Sequence, residues 1–102
     1  MDNIKELRDE FEGIGEVKGF RFKKLLSNGY AYLYEVSGGS SRVYYEVFER
    51  VVNDRFGVVS YPKSNAFGKW AKTTYDWDTA LSYYGEFSAI VMSRSECLDA
   101  DF

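Results

Sequence analysis

The chain reads as an α+β domain: an N-terminal helix, an antiparallel meander of four to five strands, and a C-terminal helix. Three observations predict this. Ile4, Leu7 and Phe11 recur at steps of three and four near the start, the helical period. From Val17 the period becomes two, in runs such as Tyr30-Ala31-Tyr32-Leu33-Tyr34 and Val43-Tyr44-Tyr45-Glu46-Val47-Phe48. Beyond Asp76 the helical period returns, with Trp77, Ala80, Leu81, Tyr84 and Phe87 as its apolar stripe. At 102 residues the chain holds one core, and a single domain over 1–102 is expected.

The first helix is predicted over 2–12, capped by Asp2, with its acids facing away from the apolar stripe and Gly13 and Gly15 ending it. The sheet is predicted over about 17–74. Asn28-Gly29 is a strong hairpin signal because both residues accept positive φ. Ser37-Gly38-Gly39-Ser40 and Asn53 to Gly57 mark the next two turns, and Val58 to Tyr61 forms a fourth strand. Pro62 stops that strand, and a short fifth strand runs from Lys69 to Thr74. Asp76 or a neighbour caps a second helix over about 77–88, which Gly85 weakens. Residues 89–102 read equally as continued helix, a further strand or an irregular tail.

Two-residue turns would place Leu25 opposite Tyr32 and Lys23 opposite Tyr34, then Tyr32 opposite Tyr45 and Glu35 opposite Arg42. One sheet face then gathers Leu25, Tyr30, Tyr32, Tyr34 and Tyr45 as the expected core. The other gathers Phe22, Tyr44, Phe48 and Tyr61 among Lys24, Arg42, Glu46 and Arg50. That second face is either covered or a binding surface. The basic residues of the first strand, Lys18, Arg21, Lys23 and Lys24, fit a protected sheet edge.

Composition narrows the chemistry. The chain has no His and one Cys, Cys97, so Cys-His and Ser-His constellations, internal disulfides and the usual nitrogen-sulfur metal sets are absent. Asp76-Trp77-Asp78 is explained by helix capping, and the glycines lack a phosphate-loop context. No catalytic residue, metal ligand or cofactor is assigned, and the chain is expected not to be an enzyme. The net charge of -3 divides unevenly: residues 1–16 carry -4, residues 17–95 carry +4 and residues 96–102 carry -3. The longest apolar runs are far short of a membrane span, and the polar start lacks a signal-peptide pattern, so a cytoplasmic protein is expected.

Two binding surfaces follow from the residues. The segment from Tyr61 to Ala71 sets Tyr61, Phe67 and Trp70 beside Lys63 and Lys69, a hot-spot composition for a protein partner unless Phe67 and Trp70 close the core instead. The alternative is single-stranded nucleic acid on the second face, with bases on Phe22, Tyr44 and Phe48 and phosphates along Lys24, Arg42 and Arg50.

Tyr45-Glu46-Val47-Phe48, the run Tyr61-Pro62-Lys63-Ser64-Asn65-Ala66-Phe67-Gly68-Lys69-Trp70-Ala71 and the helix start Asp76-Trp77-Asp78-Thr79-Ala80-Leu81 resemble short proteins encoded by bacteriophages and mobile elements of bacteria. The resemblance spans roughly residues 18–87 and brings no active site. Many such sequences carry a second aromatic after Trp-Ala, where this chain has Lys72. The resemblance implies a small accessory protein in a bacterial host cell that binds and redirects host proteins or nucleic-acid machinery.

Overall fold

The computed structural model describes residues 4–13, 18–38, 42–53 and 55–100, with side chains through 94. Its strands are β1 (Glu10–Glu12), β2 (Arg21–Ser27), β3 (Ala31–Ser37), β4 (Tyr44–Glu49), β5 (Val51–Asn53), β6 (Val58–Ser60) and β7 (Ala71–Thr74). One helix, α1 (Trp77–Ala100), follows. The main sheet is antiparallel with order β1-β2-β3-β4-β7, while β5 and β6 form a separate two-stranded ribbon. The α+β class and the antiparallel sheet therefore stand. No helix among the described residues is long and apolar enough to cross a membrane.

The N-terminal helix predicted over 2–12 is not formed by its described part. Residues 4–13 run extended as a strap across one sheet face, and Asp2, Ile14 and Gly15 lie outside the described residues. The strap's backbone groups find partners in other strands: Lys5 N–H donates to Gly57 O at 2.8 Å, Lys5 O accepts from Val59 N at 2.9 Å, and β1 pairs with β2. Side chains fasten it further. Tyr34 Oη donates to Arg8 O at 2.6 Å, and Lys24 Nζ donates to Leu7 O at 3.0 Å. A helix of about ten residues is marginal alone, so these tertiary bonds outweigh the helical spacing of Ile4, Leu7 and Phe11. The same three side chains pack on the sheet from the extended strap.

The strand register also departs from expectation. Asn28 Oδ1 accepts from Tyr30 N at 2.9 Å and Ala31 N at 3.1 Å, which lengthens the turn and puts Ser27 opposite Tyr32. A bulge between Lys24 and Leu26 then shifts the pairing to Lys24 opposite Tyr34 and Lys23 opposite Glu35. Across β3 and β4, Tyr32 faces Phe48 and Glu35 faces Tyr45, a slip of three residues from the predicted pairing. An odd slip exchanges the two faces of a strand. Phe22, Tyr32, Tyr34 and Phe48 consequently share one face, and Leu33, Tyr45 and Val47 share the other.

The chain leaves the sheet after β4 instead of adding a fourth meander strand. Val51–Asn53 and Val58–Ser60 fold over the strap face, where Val59 is buried, and β7 takes the vacant place beside β4. The basic residues of β2 are not at an edge, because β1 covers it.

Two clusters fill the two faces. Under the strap and ribbon lie Phe22, Tyr32, Tyr34, Val36, Phe48, Val59, Ala66 and Ala71. Under α1 lie Ala31, Leu33, Val47, Ala80 and Phe87, flanked by Leu25, Leu26, Tyr45, Tyr83 and Tyr84. Asp76 caps α1 as expected: its Oδ2 accepts from Thr79 N at 2.8 Å and Thr79 Oγ1 at 2.7 Å, which holds the carboxyl below its ordinary pKa. The predicted stripe holds at Ala80, Tyr84 and Phe87, whereas Trp77 and Leu81 are exposed. The helix continues through the ambiguous segment to Ala100, and Arg94 grips the buried carboxylate of Glu49 with two bonds of 3.0 and 3.2 Å.

Candidate functional site

Between the strap and the segment after β6 lies a cleft of about 630 Å³, inside the range of about 300–1,000 Å³ for small-ligand sites. Arg8, Phe11 and Glu12 form one wall, Phe22 and Glu46 the base, and Tyr61, Lys63 and Phe67 the other wall. The sequence explains each placement. Phe11 enters from a strap tied to β2, and Phe22 of β2 and Glu46 of β4 project on the same face from the two sides of β3. Pro62, buried beside Tyr61, sets the chain's exit from β6. A 3-10 turn over Ser64–Ala66 then seats Ala66 in the core and returns Phe67 to the cleft. Gly68, at φ +89°, turns the chain towards β7.

The walls are braced by aromatic contacts. Phe11 stacks on Phe22 with ring centroids 4.8 Å apart. Tyr61 stands edge-on to Phe11 at 5.6 Å, Phe22 at 5.5 Å and Phe48 at 5.3 Å. This is a rigid surface, since three neighbours hold the Tyr61 ring and Pro62 holds its backbone.

Glu46 is the polar group at the base, 5% exposed. Tyr61 Oη donates a short hydrogen bond to its Oε1. Burial pushes the Glu46 carboxyl above its ordinary pKa, against the opposing bonds from Tyr61 and Tyr44. The Tyr61 hydroxyl is pushed far upward by burial and by Glu46 beside it, so it remains a donor. Arg8, Glu12 and Lys63 are exposed at the rim. Among the described residues the arrangement is a concave aromatic slot with an acceptor at its base and two cations against one anion at its mouth. Such a slot can hold an apolar group, accept a hydrogen bond from it and attract an anionic neighbour.

The predicted partner residues divide. Tyr61, Lys63 and Phe67 line the cleft, while Lys69 is exposed elsewhere. Trp70 does not line the cleft; it is half-buried and packs edge-on to Phe48 at 6.5 Å, against the strap-side core.

The predicted nucleic-acid face is dismantled by the register. Phe22 and Phe48 are 0% exposed, so neither ring can stack on a base. Lys24 is held by Leu7 O and by Asp9 at 3.2 Å, and Arg50 is paired with Glu6. Tyr44 is half-buried against Tyr75, and Arg42 lies over the Tyr75 ring at 4.3 Å. These six residues do not form one platform. Among the described residues no group of three or more acidic, Cys or His side chains is placed to hold a metal ion.

Arg8, Phe11 and Glu46 are not among the site residues the sequence predicts. The first two fall in the predicted helix. Glu46 carried a usable signal, because an acid in phase with Tyr44 and Phe48 on a strand must be buried wherever those aromatics are.

Fold and site together define a concave aromatic cleft on a two-faced antiparallel scaffold. Comparisons with protein-family models, curated proteins and solved structures found no match, so the cleft's own geometry carries its interpretation.

Proposed function

We propose that this chain is a small non-enzymatic binding protein that acts by occupying a protein partner, with the cleft as its recognition point. The observation that supports this reading is the slot between Phe11, Tyr61 and Phe67, apolar within and rimmed by Arg8 and Lys63 on a braced support. Concave aromatic sites of this kind concentrate binding energy in a few residues. The resemblance to phage and mobile-element proteins suggests the setting: an accessory protein that modulates a host protein in the cytoplasm of a bacterial cell.

Immobilised full-length protein, exposed to a bacterial lysate, should retain a partner that the Arg8→Glu/Lys63→Glu variant does not. Both side chains are exposed, and the Arg8 group bonded to Tyr34 is its backbone carbonyl, so the variant should fold normally. Equal recovery by the folded double variant would reject the cleft as the recognition point.

A further inference from the structure

We infer that the cleft receives a tyrosine or tryptophan side chain of the partner, presented within an acidic stretch of peptide. The inference rests on the reading of the cleft as a protein-recognition point and specifies its occupant. Three observations carry it.

The walls and the base call for an aromatic ring bearing a donor. Phe11, Tyr61 and Phe67 present ring faces and edges to the slot, and ring pairs at offset or edge-on geometry gain beyond simple area burial. The base is the carboxyl of Glu46, which lines the slot although it is almost wholly buried. A carboxylate has about four lone-pair sites, and two tyrosine hydroxyls leave acceptor capacity over. A phenylalanine or leucine side chain would leave that capacity unmatched. A tyrosine hydroxyl or indole N–H would meet it.

The rim selects what flanks the ring. Among the described residues, Arg8 and Lys63 stand at the mouth on opposite walls against one acid, Glu12, so acidic neighbours are attracted on both sides. The same cations oppose entry of a lysine or arginine side chain towards Glu46. The cleft volume of about 630 Å³ accommodates the ring together with a short length of flanking backbone.

The test uses capped pentapeptides with a central Trp, Tyr, Phe or Lys between acidic residues, titrated into the full-length protein and followed by amide NMR shifts. The Trp and Tyr peptides should perturb Phe11, Tyr61 and Phe67, and the Phe peptide should bind about tenfold more weakly because it leaves a polar group unpaired. Binding should weaken in about 0.5 M salt and in Lys63→Glu, as the rim charges are screened or reversed. Equal affinity of the Trp and Phe peptides overturns the donor requirement, and preference for the Lys peptide overturns the occupant altogether. Binding of a decathymidylate at these residues, with no peptide bound, overturns a peptide occupant in favour of nucleic acid. Loss of the captured partner in Arg8→Glu/Lys63→Glu would show in each case whether the recognition point itself stands.

Discussion

Glu46 and Glu6 lie on the same side of the sheet and respond to pH in opposite senses. Glu46 is buried among tyrosines, and its folded pKa lies above its ordinary value of 4.5. Between those two values the folded state holds more protons than the unfolded state, so stability falls as pH rises through that window. Glu46→Gln should flatten this decline, and urea titrations from pH 4.5 to 8 would show it. The chain has no histidine to confuse the interval. A Gln variant that declines as steeply as the parent would contradict the assignment. Glu6 is held down at about 2, chiefly by its hydrogen bond from Arg50, with Tyr32 assisting against desolvation. Its contribution is present above pH 4.5 and fades as pH falls towards 2. Because Glu6 is half exposed, Glu6→Gln should cost only about 1 kcal/mol at neutral pH, measured by the same titration, and much less at pH 2. These roles follow from placement, since the linear sequence does not show that Glu46 lies under Tyr61 or that Glu6 meets Arg50.

At the scale of elements, the sequence was most legible where one local period governed the outcome. The strands β2, β3 and β4, the capped start of α1 and the stop at Pro62 all followed from spacing and turn chemistry. The strap did not, because Ile4, Leu7 and Phe11 satisfy helical spacing and extended packing alike, and only Val59, Tyr34 and β2 decide between them. Register failed for a smaller reason. The Asn28 side chain serves two backbone N–H groups and so builds a longer turn than Asn-Gly alone suggests, and the bulge near Leu25 adds one more residue. They bring Phe22 onto the Tyr32 and Tyr34 face, and the separate three-residue slip between β3 and β4 brings Phe48 there too, so both rings of the suspected nucleic-acid surface lie in the core. The same Asn28 also donates through Nδ2 to Ser88 Oγ at 2.9 Å, joining the turn to α1. Asn28→Ala should therefore cost about 1–2 kcal/mol, by loss of the turn bonds and of Ser88's partner. Exchange protection should drop at Ala31 and around Ser88 together. A loss confined to the turn would show that the link to the helix contributes nothing.

For the molecule as a whole, the sheet acts as a partition with a separate apolar cluster on each side. Phe11 belongs to the strap side, stacked on Phe22 and edge-on to Tyr34 and Tyr61. Phe87 belongs to the helix side, 4% exposed, with Ala31, Leu33 and Val47 in its cluster. The two rings share no packing partner, and the backbone of the sheet lies between them. Free energies of substitution add when sites are distant and independent, and fail to add when residues touch. Phe11→Leu and Phe87→Leu should each cost about 1–1.5 kcal/mol, small enough to leave the fold intact. Their double variant should match the sum within about 0.5 kcal/mol, whereas Phe11→Leu combined with Tyr61→Leu should not, because those rings meet at the cleft. Urea midpoints of the three single and two double variants decide the matter. Strong coupling between Phe11 and Phe87 would mean that the sheet transmits strain between its faces, and the cleft would then respond to whatever touches α1. Additivity instead leaves the cleft a property of the strap side alone, open to change at its rim without disturbing the helix.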